Sequence, residues 1–237
     1  MINENEFSQQ EKEDVSIVTK KDGLKMRVRN NRMRYFYPEE WDAFYENLNS
    51  KKKFLFDVLI ISGARIEEAL CLKRNNINIE QNKFTLYVTK IKAKKKETKP
   101  TPREITFNLA FKKKLNVYIN ENKLKEYDYL FLNNSKQYND RQQVKNTASS
   151  KKKSVYQLFR RTLNNTKMIK DPWNFGLHNI RKTHGMWLKA MNVKFEEICQ
   201  RMGHDYNTYL KHYGSADNFT LSQRIAIQNK LKGICGI

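Results

Sequence analysis

Leu177-His178-Asn179-Ile180-Arg181, Met202-Gly203-His204 and Lys211-His212-Tyr213-Gly214 lie in the last quarter of a 237-residue chain whose four histidines all fall between positions 178 and 212. His178 and Arg181 are three residues apart, so on a helix they project from one face, one turn apart. The stripe Ile180, His184, Trp187 and Met191 buries the adjoining side and places that pair at the rim of a core. Phe195, Ile198, Cys199 and Met202 form the apolar face of the next helix, and Gly203 stops it, leaving His204 at its terminus. Tyr206, Tyr209, Leu210 and Tyr213 then recur at helical spacing. Histidines, an arginine and a tyrosine so arranged form a phosphate-handling set.

Working outward, the same helical period covers most of the chain. Pro38 suits the first position of a helix, Glu39 and Glu40 favour its positive end, and Trp41, Phe44, Tyr45 and Leu48 follow. A second helix is predicted over Lys51–Ile61, Ser62-Gly63 breaks it, and Arg65–Leu72 starts a short third one. Period 2 then takes over in Phe84–Thr89 and again in Arg103–Phe107, a hairpin whose tip carries lysines 90, 92, 94, 95, 96 and 99. Pro100 and Pro102 suit the tip and not a central strand. Further helices are predicted over Leu109–Asn120, Val155–Leu163, Leu177–Met191, Phe195–Met202 and Leu221–Leu231, with Asn133–Lys153 a polar loop. The fold class expected is mainly α with a small antiparallel β-sheet. Residues 1–36 are expected to be a flexible polar and basic tail, with a short strand near Val15–Val18 at most, ahead of one domain over 37–237.

Composition narrows the partners. Lys and Arg number 46 against 25 acidic residues, a formal net charge of +21, which attracts polyanions and makes double-stranded DNA the expected partner. Hydrophobic content of 39% with 13 Phe, 12 Tyr and 3 Trp supports a packed core. The longest apolar run, Phe54–Ile61, is interrupted by Asp57 and is far short of the ~20 residues a membrane span needs. The start, MINENEFSQQEKEDV, has neither signal-peptide nor transit-peptide character. Three scattered cysteines point to reduced thiols and a cytoplasmic, DNA-associated location. No metal-binding run, Walker-type loop or dinucleotide fingerprint occurs, so no cofactor and no metal are expected.

Each candidate residue also has a plainer reading. Arg65 could be a surface cation paired with Glu68, His184 a packing residue, His204 a helix cap and Tyr213 a core aromatic. A phenol with pKa near ~10 becomes a nucleophile at neutral pH only where cations stabilise its anion.

Taken together, the order Arg65, lysine-rich hairpin, His178-x-x-Arg181, Gly203-His204, Tyr213 resembles the catalytic domain of the tyrosine recombinases, the phage-type integrases. Ser62-Gly63-Ala64-Arg65-Ile66-Glu67-Glu68-Ala69-Leu70 is similar to that family's first arginine box, and the resemblance runs from about Tyr37 to Asn218. It implies that Tyr213, nine residues past His204, attacks a scissile phosphate to form a 3′-phosphotyrosyl bond, without metal or ATP. Arg65 and Arg181 would clamp the phosphate, His178 would assist Tyr213, and His204 would hydrogen-bond a phosphate oxygen. A hairpin lysine would protonate the leaving 5′ oxygen: counting from Val88 selects Lys92, with Lys90 and Lys94 as alternatives.

The resemblance further implies integration or another site-specific recombination by a homo-oligomer, a tetramer on two DNA sites, with residues 219–237 a C-terminal helix docking on a neighbouring subunit. Relatives carry a helical DNA-clamping domain before the catalytic one. The 36 residues ahead of Tyr37 are too few for it, so the expectation is a minimal form, a piece of a longer protein, or a chain whose missing half is supplied by a partner such as an accessory DNA-binding factor. The alternatives are a type IB topoisomerase-like relaxing enzyme and a non-catalytic DNA-binding protein on the same fold.

Overall fold

A computed structural model describes residues 15–19, 25–29, 34–87, 102–135, 138, 140–213, 219–235 and 237. Strands β1 (Val15–Thr19) and β2 (Lys25–Arg29) pair antiparallel, Val15 opposite Arg29 and Thr19 opposite Lys25. The strand allowed near Val15–Val18 is therefore present as β1, and the second strand, β2, is one the sequence reading did not include.

Residues ahead of Tyr37 already pack against the helices. Phe36 is fully buried, and the Arg34 guanidinium bonds Asp171 (3.0 and 3.2 Å) and Glu40 (2.7 and 3.3 Å) while lying 4.2 Å over the Phe175 ring. Helix α1 (Pro38–Glu46) follows, its start closed by the Glu40 carboxylate accepting from the Tyr37 amide at 3.0 Å. Helix α2 (Ser50–Ser62) is capped by Asn49 and buried on every side from Phe54 onward, which makes it the central helix of the domain. Gly63 ends it in the left-handed region (φ 59), and the short α3 (Ile66–Leu70) turns away with Arg65 at its N-cap.

The sheet has three antiparallel strands, β3 (Ile77–Asn78), β4 (Lys83–Tyr87) and β5 (Pro102–Thr106), in that order. Pro102 sits at the first residue of an edge strand, where its missing N–H costs no ladder bond. Phe84 faces Ile105 and Leu86 faces Arg103 across the ladder, so an arginine shares the buried face of the sheet with three apolar side chains. β3, two residues long, has too little alternation to be seen as a strand in sequence.

Helix α4 (Leu109–Glu121) packs Phe111 and Leu115 inward. Helix α5 (Arg141–Asn165) corrects the expected loop over 133–153, since its first three turns lie within that stretch. Asp140 caps the Gln143 amide at 2.8 Å, and Val144, Ala148, Val155, Phe159 and Leu163 make a sparse stripe that the Gln, Lys and Ser around it obscure.

Helix α6 (Leu177–Ala190) lies against α2 and is followed by α7 (Phe195–Met202), α8 (Tyr206–Tyr213) and α9 (Leu221–Leu231). α6 also fastens the start of the domain. Asn179 Nδ2 donates to the Arg34 carbonyl (2.8 Å), the Phe36 amide donates to Thr183 Oγ1 (2.9 Å), and Trp187 Nε1 donates to the Phe36 carbonyl (3.1 Å). α9 packs on its own chain: Ile227, Leu231 and Ile234 are buried, Gln223 bonds Glu39 (2.6 Å) and Lys230 pairs with Asp42 (2.5 Å).

Candidate active site

Three elements converge where α2 breaks. The turn after α2 needs a glycine at position 63 twice over, because φ is 59° and an added Cβ would lie 2.5 Å from His184 Cδ2. The turn presents Arg65, whose amide bonds Glu68 Oε2 (3.0 Å) and whose guanidinium bonds Glu68 Oε1 (2.8 Å). Glu68 is itself buried and takes a second guanidinium, Arg103 Nη2, at 2.5 Å. The plain reading of Arg65 as a partner of Glu68 is thus correct, but the pair opens into the protein and not only into solvent.

Arg181 is 1% exposed, deeper than the rim position expected for it. Its Nη1 donates to the Gly63 carbonyl (2.6 Å) and its Nη2 to the Met202 carbonyl and to His204 Nε2 (2.8 Å). One guanidinium thereby ties the α2 turn to the end of α7. An arginine can only donate, so His204 Nε2 is the acceptor and Nδ1 carries the proton. Gly203, at φ 59°, has its own reason: a Cβ there would lie 2.8 Å from Arg103 Cδ. The Nε atoms of Arg103 and Arg181 are buried without a hydrogen-bond partner among the described residues.

The electrostatics follow from three guanidiniums sharing one carboxylate. Burial, then repulsion from Arg65 and Arg103, brings Arg181 down to about 9. Burial opposes ionisation of Glu68, yet Arg103, the bonds from Arg65 and the field of Arg181 outweigh it and hold the carboxyl below its usual range. The centre is a cationic nest in need of an anion.

Tyr213 is 1% exposed. Its ring lies over Gly185, where an added Cβ would come within 2.5 Å of Cε1, with Met202 beside it and the His204 ring 6.0 Å away. Lys189 Nζ donates to the Tyr213 carbonyl at 2.6 Å. Burial raises the phenol to about 12, while Arg181 and Arg65 pull it back. Tyr206 and Tyr209 pack on Phe195, at 5.1 and 6.0 Å between ring centroids, and Tyr209 also lies 5.6 Å from the Tyr213 ring.

The structure thus brings Arg65, Arg181, His204 and Tyr213 together. His178 sits in the first turn of α6 and is exposed, farther out than expected. Lys90, Lys92 and Lys94 lie outside the described residues. His184 is fully buried, as a packing residue should be, and is also hydrogen-bonded at both ring nitrogens. It accepts from Arg201 Nε (3.2 Å) and donates through Nδ1 to the Ile60 carbonyl (2.8 Å); burial and then Arg201 hold its pKa well below the usual value. Arg103, Arg201 and Lys182 are buried cations that sequence periodicity did not single out. The available signal for Arg103 was its place in β5 on the same face as Ile105. Among the described residues there is no group of three or more His, Cys, Asp or Glu able to hold a metal, and no helix long and apolar enough to cross a membrane.

Comparison with solved structures finds this fold in DNA-recombination proteins. The chain is similar to XerA recombinase (TM-score 0.58, 16% identity, 84% of this chain and 66% of that one). It is also similar to the Tn1549 transposon integrase in complex with transposon right-end DNA (TM-score 0.61, 16% identity, 89% and 69%). A third is XerH site-specific recombinase bound to palindromic difH substrate (TM-score 0.54, 20% identity, 78% and 50%). The chain therefore spans about two thirds of the first two and half of the third. Among curated proteins no significant match is found. The profile of the phage integrase family matches residues 34–218, starting at the arginine that opens the folded domain and including every site residue described above. With that match, and with the same fold in these recombinases, the chain belongs to the phage integrase family.

Proposed function

We propose that the chain is a site-specific DNA recombinase that breaks and rejoins strands through Tyr213. The observation that carries this reading is the convergence of Arg181, His204 and Tyr213 beside Arg65: Arg181 Nη2 lies 2.8 Å from His204 Nε2, and the His204 and Tyr213 rings are 6.0 Å apart. A phosphate entering the nest would meet guanidiniums whose positive charge one carboxylate only partly balances. Its non-bridging oxygens would take donors from Arg65 and Arg181 and a hydrogen bond from His204, and those contacts strengthen as charge grows in the pentavalent transition state.

Tyr213 Oη then bonds to phosphorus while the bond to the 5′ oxygen breaks. The phenolic proton is lost with help from His178, and the departing 5′ oxygen takes a proton from a hairpin lysine, Lys92 by its spacing from Val88. The phosphotyrosyl ester conserves the bond energy, so a 5′ hydroxyl reverses the step without ATP. Burial of Tyr213 implies that α8 shifts when DNA enters. Exchange between two duplexes takes four such sites, hence a tetramer on two DNA sites, with α9 as the element to pass between subunits and an accessory DNA-binding factor as a further partner. A net charge of +21 supports duplex DNA as the substrate and a location with the DNA in the cytoplasm.

The test is a nicked suicide duplex drawn from the flanking DNA, incubated in EDTA with wild-type protein and with Tyr213→Phe. A protein–DNA adduct that survives denaturant and appears only when Tyr213 is present is the expected result. Salt-sensitive binding with no adduct on any candidate site would overturn the reading in favour of a non-catalytic DNA-binding role.

A further inference from the structure

A cleft of about 650 Å³ is lined by Glu68 of α3, Tyr87 of strand β4, Tyr127, Tyr129 and Tyr138, and Lys145 in the first turns of α5. Its size is within the ~300–1,000 Å³ of sites that hold small organic ligands. Four tyrosines line it. Tyr129 and Tyr138 meet edge to face at 5.5 Å, and Lys73 Nζ lies 4.9 Å over the Tyr129 ring. Tyr87 and Tyr127 keep 43% and 70% of their surface in solvent.

The loop that carries Tyr127 and Tyr129 is held in place. The Leu130 amide donates to the Leu72 carbonyl (2.9 Å), the Arg74 amide to the Asp128 carbonyl (2.8 Å), and Tyr118 Oη to the Leu130 carbonyl (2.7 Å). The backbone that carries Tyr127 is therefore fixed, and the Tyr129 ring is held between Tyr138 and Lys73. Two carboxylates reach the cleft, and both are already engaged: Glu68 by Arg65 and Arg103, and Asp140 by the Gln143 amide at 2.8 Å. Lys73 and Lys145 supply the remaining charge at the wall.

Fixed aromatic faces with lysines beside them suit a flat, anionic, repeating ligand. We propose that this cleft binds unpaired nucleotides of a single DNA strand, their bases stacking on Tyr127 and Tyr87 and their phosphates meeting Lys73 and Lys145. This rests on the recombinase reading for its purpose: cleavage frees a strand with a 5′ hydroxyl, that strand must leave its helix before it can be joined elsewhere, and Glu68 is shared by the cleft wall and the arginine nest. Duplex DNA keeps its base faces stacked and cannot use such a site.

The experiment uses the full chain and a short single strand carrying 2-aminopurine between thymidines, read by fluorescence quenching and by anisotropy, with the matching duplex as control. Wild-type protein is expected to quench the probe. Stacking is worth ~1–3 kcal/mol per base, so Tyr127→Ala and Tyr87→Ala should each weaken single-strand binding by about 5- to 150-fold and duplex binding by less than about 2-fold. Tyr127 is largely exposed and Tyr87 keeps 43% of its surface in solvent at the end of β4, so neither variant removes a core side chain. Absence of quenching in the wild type, or equal single-strand affinity in the double variant, overturns the proposal. The adduct assay separates the two readings. A protein that forms the Tyr213 adduct but does not quench keeps the recombinase reading and loses the cleft. A protein that quenches without forming the adduct keeps the cleft and loses the cleavage.

Discussion

Lys182 follows Arg181 on α6, is 4% exposed, and has its Nζ buried with no hydrogen-bond partner among the described residues. Burial lowers its pKa from 10.5 to about 8. At neutral pH the amine is still protonated, so the folded state holds an ammonium without a counter-charge. A fall from 10.5 to about 8, at ~1.4 kcal/mol per tenfold, makes this worth about 3 kcal/mol against folding. Methionine matches the length of the side chain and carries no charge. Lys182→Met is therefore expected to stabilise the protein by up to about 3 kcal/mol at pH 7, a rise in Tm of ~2–4 °C per kcal/mol for a domain of this size.

The sign with pH is fixed. The unfolded chain holds the proton more tightly, so wild-type stability rises as pH climbs from about 8 toward 10.5, and the advantage of the variant shrinks over that window. Urea denaturation of both proteins at pH 7 and pH 9.5 measures it, and the gap should fall to ~1 kcal/mol at the higher pH. A variant no more stable than wild type at pH 7, or a gap that ignores pH, would refute the reasoning.

Other expectations follow from the same geometry. Glu68→Gln leaves Arg65, Arg103 and Arg181 without their shared carboxylate and should cost ~3–5 kcal/mol by denaturant unfolding; a loss below ~1 kcal/mol would mean that the guanidiniums do not depend on it. Gly185→Val drives a side chain into the Tyr213 ring and should cut single-turnover adduct formation by ~10²-fold with DNA affinity retained, as read by gel trap and anisotropy. Deleting residues 1–33 should leave the thermal unfolding of the domain unchanged. Deleting 1–37 removes Phe36 and the Arg34 network and should cost at least the ~3–5 kcal/mol of a lost core phenylalanine.

Most helices were legible because their apolar residues recur at close spacing: α7 and α9 begin and end at the expected residues. α5 was not, because over residues 141–153 its inward positions are only Val144 and Ala148, and its start depends on the Asp140 cap. The boundary at Arg34 was hidden for a different reason. Arg34 is charged, and its burial is made tolerable by Glu40 together with Asp171, the second of which is distant in sequence. Within the candidate site, local motifs showed which side chains bear chemistry, and Gly63 and Gly203 mark where the backbone bends around them. The buried arginines were illegible because a charge inside a protein is permitted by its partners, and those partners come from other segments. Arg201 lies inside with Ile61, Thr106 and His184 as its hydrogen-bond partners, all of them from other segments.

The bonds from α6 to residues 34–36 have a further consequence. Arg34 and Phe36 are clipped to one flank of the rod whose other flank presents Arg181, about one helix diameter, ~10 Å, away. From Arg29, the last residue of the N-terminal hairpin, to Arg34 the chain can stretch at most ~18 Å. The end of the hairpin is therefore leashed within a sphere that also contains the candidate site. Anything the hairpin grips is presented to that site as if dissolved at millimolar strength, a local supply that dilution of the protein cannot remove.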